Sequence, residues 1–119
     1  MKYVWIDEFL LSKKFVSKDL KREWNWVRYL IGGKMFAAIC LDQNDEPYYI
    51  TLKLEPMEGE MLRKQYKDII PGYYMNKDHW NSIKSNGSVP DELMKYMLDK
   101  SYNLVINSLS KKKQAELLK

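Results

Sequence analysis

The chain holds one histidine and one cysteine among its 119 residues. That scarcity excludes a Cys-based zinc site, an H-E-x-x-H metal pair and any disulfide within the chain. Glycine and proline are sparse as well, five and four. Neither G-x-x-x-x-G-K-[ST] nor G-x-G-x-x-G occurs, and Gly32-Gly33-Lys34 is too short to cradle a phosphate. No apolar run approaches the roughly 20 residues that cross a bilayer. The first stretch, MKYVWIDEFLLSKK, carries Asp7 and Glu8 inside its apolar part and has no small-residue cleavage site, which argues against a secretory leader. A cytoplasmic protein with no membrane partner is therefore expected. Asn86-Gly87-Ser88 then reads as a turn and not as a glycosylation acceptor.

What is present describes a folded chain. Hydrophobic residues make up 45% and charged residues 30%, an ordinary globular balance, and the length suits one domain spanning 1–119. Nine tyrosines and four tryptophans can fill a core, but their polar atoms place several at its edge. The net charge of +4 permits a nucleic-acid partner without demanding one. Base is concentrated from Ser12 to Lys34, where Lys13, Lys14, Lys18, Lys21, Arg22, Arg28 and Lys34 face only Asp19 and Glu23. It is concentrated again in Lys111, Lys112, Lys113 and Lys119. Such runs are ordinarily solvated surface.

Periodicity orders the elements. Val4, Trp5, Phe9 and Leu10 predict a first helix over 2–13, followed by a connector, FVSKDLKREWN. Gly32-Gly33 between two apolar runs predicts a tight hairpin, because that turn needs positive φ. In the second strand, strict alternation sets Met35, Ala37, Ile39 and Leu41 against Phe36, Ala38 and Cys40. In the third, Tyr48, Ile50, Leu52 and Leu54 oppose Tyr49, Thr51 and Lys53. Pro56 opens a helix with Met57, Met61 and Leu62 on its apolar stripe. Those methionines, with Met94 and Met97, read as core or gap-filling residues and not as a metal box. Tyr73, Trp80 and Ile83 suggest one or two short strands. Ser88 with Asp91 reads as a capping-box start to a long helix over 90–108, and a short helix follows. The fold class is α+β: a two-layer α-β(3)-α-β(2)-α order, its antiparallel sheet covered by helices on one face.

The densest polar stretch is PGYYMNKDHWNSI, from Pro71 to Ile83. His79 as a general base needs an acid and a nucleophile in reach. Asp78 is adjacent, so in a strand it points to the opposite face. Nothing local brings Ser82 closer. The plainer reading is that His79 shapes a turn while Trp80 enters the core. Asn76, Lys77, His79, Asn81 and Lys84 are also donors of the kind that hold phosphates and base edges.

GGKMFAAI, ITLKLEP, PGYYMNKDHWNSI and GSVPDELMKYMLDKSYNLV, in that order, resemble the blocks of the MmcQ/YjbR-like family. They run from about Gly32 to Leu109. The chain departs at its N-terminal side, where KKFVSKDLKREWNW is basic and lacks the Pro-Gly that members often show there. The resemblance implies the α-β(3)-α-β(2)-α fold, likened to CyaY-like and secretion-chaperone-like folds. It also implies a small cytoplasmic protein described as DNA-binding through a double-wing pair of hairpins, and it establishes no enzymatic activity and no cofactor. The positions that match are Lys34, Phe36, Lys53, Asn76, Lys77, His79 and Trp80. Ser101 and Tyr102 match too, on a helix face expected to be buried.

The expected function is thus non-enzymatic DNA binding by a monomer. Lys34, Lys53, Asn76, Lys77, His79, Asn81 and Lys84 form the candidate interface, with no catalytic or metal-binding residue. The alternative is a protein-interaction or chaperone-like module that uses the open face of the sheet, where Tyr49, Thr51 and Lys53 would lie.

Overall fold

Strand-forming runs between turn residues assemble into one antiparallel sheet in the computed structural model, which describes residues 1–72 and 76–118. Helix α1 (Ile6–Leu11) leads into strands β1 (Val16–Lys21), β2 (Trp26–Ile31), β3 (Lys34–Leu41) and β4 (Pro47–Lys53). Helix α2 (Pro56–Gln65) precedes β5 (Ile69–Pro71) and β6 (Trp80–Lys84). Helices α3 (Asp91–Ser108) and α4 (Lys111–Leu117) follow. The strand order is β1-β2-β3-β4-β6-β5. The α+β class and the helix-covered antiparallel sheet match expectation, with four strands and not three ahead of α2. The first helix is shorter than 2–13, and Tyr73 lies outside the described residues.

β1 is an added strand where the sequence suggested only a connector. It pairs with β2 from Val16–Ile31 to Lys21–Trp26. Ser17 to Leu20 are all exposed, so no burial alternation marks the segment in the sequence. Its position explains that: β1 is an outer strand, and charged side chains blunt such an edge against pairing with another chain.

The core lies between the sheet and the helices. Tyr29 and Ile31 of β2, Phe36 and Ile39 of β3, Ile50 and Leu52 of β4, and Ile83 of β6 meet Ile6 and Leu10 of α1 and Met94, Met97, Leu98 and Val105 of α3. A bulge decides which β3 residues join them. Tyr29 pairs with Ala37 and Leu30 with Met35, so Phe36 has no opposite partner. The extra residue shifts the side-chain phase. Phe36 turns into the core and Met35 to the other face, the reverse of strict alternation. Ser101 of α3 fills the gap beside the bulge. Its Oγ donates to the Phe36 carbonyl at 2.5 Å and accepts from the Lys53 N–H at 2.8 Å.

Two helix readings are corrected. Met57 and Met61 are 84% and 56% exposed and are not core. Gly59 and Leu62, three residues apart, are the buried positions of α2, and they turn both methionines outward. Met94 and Met97 are buried as expected. The capping box at Ser88 does not form: Pro90 is the N-cap of α3, and the Ser88 N–H and hydroxyl both donate to the Asp68 carboxylate. The β2–β3 hairpin is as anticipated, with Gly32 and Gly33 at φ of 56° and 82°. Positive φ at both positions is what a type I′ turn requires.

Candidate nucleic-acid interface on the open sheet face

The face turned away from the helices carries three cross-strand rows. The middle row crosses every strand: Asp19, Arg28, Ala38, Thr51, Ser82 and Ile70. Beside it run Lys21, Trp26, Cys40, Tyr49 and Lys84, with a lysine at each end. On the other side stand Ser17, Leu30 and Met35, and, past the gap that Ser101 fills, Lys53 opposite Trp80. Ala38, Cys40 and Trp26 are packed together at the centre. Cys40 Sγ contacts Thr51 Oγ1 at 3.4 Å, and Thr51 pairs with Ser82 Oγ at 3.2 Å. This polar line knits three strands from within. Burial pushes the Cys40 thiol up to about 11, so it stays protonated at neutral pH.

Between the β1–β2 turn and the β2–β3 turn the face is hollowed into a cleft of about 400 Å³. Trp24, Arg28, Lys34, Met35, Lys53 and Trp80 line it, with Val105 and Ser108 of α3 closing one side. The sequence builds this cleft simply. Trp26 and Arg28, two apart in β2, share a face, and the β1–β2 turn brings Trp24 beside them. Trp24, at the β1–β2 turn, leans edge-on to Trp26 with ring centroids 5.4 Å apart, and Lys21 Nζ stands 4.7 Å from its ring centre. Arg28 is fixed by a two-pronged contact to Asp19, 2.8 Å from Nε and 2.6 Å from Nη2. That contact holds the Asp19 carboxyl below its ordinary range and raises Arg28.

The candidate residues separate on this surface. Lys34 and Lys53 line the same cleft. Lys84 is at the far end of the face, in a hollow shared with Asp42, Glu46, Tyr48 and Tyr49. Asn76 and Lys77 are exposed in the turn before β6. Asn76 builds that turn: its Oδ1 accepts from the Asp78 N–H at 2.9 Å and its carbonyl from the Trp80 N–H at 2.9 Å. The His79 carbonyl accepts from the Leu54 N–H and from Asn81 Nδ2, so His79 ties the turn to the end of β4.

Two of these readings change. Asn81 is 0% exposed and leaves the interface: Arg63 of α2 donates to its Oδ1 at 2.5 Å. One residue away, Trp80 takes the opposite face and lines the cleft instead of entering the core. The period-2 alternation of β6 dictates both outcomes. Trp24, Arg28 and Met35 were not among the candidates. The W-x-W-x-R spacing was the available signal for the first two, and the bulge hid the third.

The sequence model of the YjbR family matches residues 11–104. The chain belongs to the YjbR family. It is 27% identical to the uncharacterised protein YjbR of Escherichia coli K12 over 111 residues, covering 93% of this chain and 92% of that one. It is 34% identical to the uncharacterised protein YbdF of Escherichia coli O157:H7 over 86 residues, 72% of this chain and 69% of the relative. Among solved structures, a Deinococcus radiodurans protein with a DUF419 domain superposes with a TM-score of 0.84 at 28% identity, over 94% of this chain and 84% of that one. A Pseudomonas syringae protein shares the fold, with a TM-score of 0.72 at 22% identity over 87% of this chain and 98% of its own. The YjbR match begins at Leu11 and so includes the basic β1–β2 hairpin.

Proposed function

We propose that this YjbR-family chain is a non-enzymatic, cytoplasmic nucleic-acid-binding protein that acts through the open face of its sheet. One observation carries the reading: Lys34 and Lys53 converge on the same cleft as Arg28, while Trp24 and Trp80 line its walls. Among the described residues neither lysine has a carboxylate partner. By contrast Lys13, Lys18, Lys21, Arg22 and Arg28 of the basic segment each pair with an acid. Cations without an internal partner are the ones available to a phosphate backbone. Lys77 and Lys84 extend the same charge outward and play secondary parts.

The test is a titration against duplex DNA, single-stranded DNA and RNA at two salt concentrations. Each phosphate neutralised releases counterions, so affinity falls steeply as salt rises. Lys34→Ala and Lys53→Ala each weaken binding to a similar degree for every sequence. Binding that is absent at low salt, or indifferent to salt, overturns the reading. A protein partner on this face is the second reading, favoured by the half-exposed Trp24. Failure of all three nucleic acids at low salt is the result that turns to it.

A further inference from the structure

We propose that the cleft on the open sheet face takes single-stranded nucleic acid, with an unpaired base stacked on Trp24 and the flanking phosphates held by Lys34 and Lys53. The inference rests on the nucleic-acid reading above and goes past it in naming which form is bound and by what contact.

Three observations carry it. The first is shape. A duplex is read by an element that projects into a groove. Here the tryptophans and the free lysines line a recess of about 400 Å³, a volume on the scale of a small-ligand site. A base buried in its duplex stack cannot enter such a recess, whereas a splayed one can.

The second is Trp24 itself. It is 51% exposed, so it adds little to the core. Yet it is oriented: Trp26 meets it edge-on, and Lys21 and Arg28 stand 4.7 Å and 5.8 Å from its ring centre. A large aromatic held in one pose with half its surface open is a stacking platform, and every base has a π-face to offer it. The two cations beside the ring also bring positive charge next to the stacked base.

The third is the charge arrangement. Arg28 is committed to Asp19, which fixes the floor of the cleft. Lys34 follows the β2–β3 turn and Lys53 ends β4 opposite Trp80. The free cations therefore sit around the aromatic walls and not on a separate patch. A single strand presents its bases and its phosphates to such a site together.

The experiment compares three DNA probes at low salt: a thymidine 10-mer, a strand of equal length with abasic sites throughout, and a duplex. Binding is read by tryptophan fluorescence and by anisotropy of a labelled probe. The thymidine strand is expected to bind about ten-fold or more tighter than the abasic strand, and tighter than the duplex, with quenching of tryptophan emission. Trp24→Ala is expected to weaken the thymidine strand about ten-fold and leave the abasic strand unchanged, and Trp24→Phe to recover most of the loss. Trp24 lies on an exposed turn, so these variants keep the fold, which circular dichroism checks. Equal affinity for thymidine and abasic strands, or tighter binding of the duplex, overturns the single-strand inference while leaving nucleic-acid binding intact. Binding of thymidine monophosphate as tight as that of the strand overturns it too, in favour of a nucleotide site. No binding to any probe overturns both readings.

Discussion

Ser101 is the residue on which two strands depend. It is fully buried and serves the Phe36 carbonyl and the Lys53 N–H at once, where the bulge keeps β3 and β4 from serving each other. Ser101→Ala leaves two buried backbone groups unpaired, and such groups cost about 1 to 3 kcal/mol each. A loss of about 2 to 3 kcal/mol is expected in urea unfolding; a loss under about 0.5 kcal/mol would mean that the strands close over the gap. Asp7 sets a different test. Hydrogen bonds from Lys18 and then from Tyr29 hold its pKa below the ordinary 3.8. A carboxyl depressed in the folded state stabilises it fully above the unfolded value and loses that contribution as pH falls through the folded one. Stability should therefore decline below about pH 4, and Asp7→Asn should flatten that decline. An unchanged acid profile in the variant would remove Asp7 from the explanation. Residue roles of this kind were only partly legible beforehand. The periodicity of the long helix put Ser101 on a face expected to be buried, but nothing in the sequence says that Asn81 turns inward to Arg63 while Trp80 turns out. That follows from the phase of a five-residue strand whose start the turn at Asn76 fixes.

At the scale of elements, the readable parts were those with a strong local signal. Gly32-Gly33 and the apolar stripe of α3 each have one physical solution. Replacing Gly32 by Ala should cost more than replacing Gly33. Both take a left-handed conformation that costs an L-residue roughly 1 to 2 kcal/mol, but a Cβ at Gly32 would also approach Leu109 Cδ1 at 3.1 Å, whereas at Gly33 it meets nothing. Thermal unfolding of the two variants gives the order, and equal losses would mean that Leu109 gives way freely. The methionines divide in the same manner. Met94→Ala or Met97→Ala should cost about 2 to 5 kcal/mol, while Met57→Lys or Met61→Lys should change stability by less than about 0.5 kcal/mol. The sequence could not make that division, because α2 buries only a narrow stripe through Gly59 and Leu62. β1 was illegible for a related reason. A strand whose four middle residues are all exposed carries no hydrophobic period, and only its pairing with β2 makes it a strand.

For the whole molecule, the question is where the excess positive charge is free to act. Most bases of the Ser12 to Lys34 segment are spent on acids of the same chain, in exposed or half-buried pairs that neutralise the surface they occupy. Two lysines without an acid partner, Lys34 and Lys53, nineteen residues apart in sequence, are brought by the fold to the cleft, while Lys84 stands at the far end of the open face. Lys111 and Lys112 of α4 are exposed bases outside that cleft and supply a charge-matched control. The most direct test measures how affinity for a DNA strand depends on salt in the intact protein, in Lys34→Ala/Lys53→Ala and in Lys111→Ala/Lys112→Ala. Loss of two phosphate contacts should reduce the slope of log affinity against log salt by about two in the cleft variant and leave it unchanged in the α4 variant. Equal slopes in all three proteins, or a reduction confined to the α4 variant, would contradict binding at the open face of the sheet.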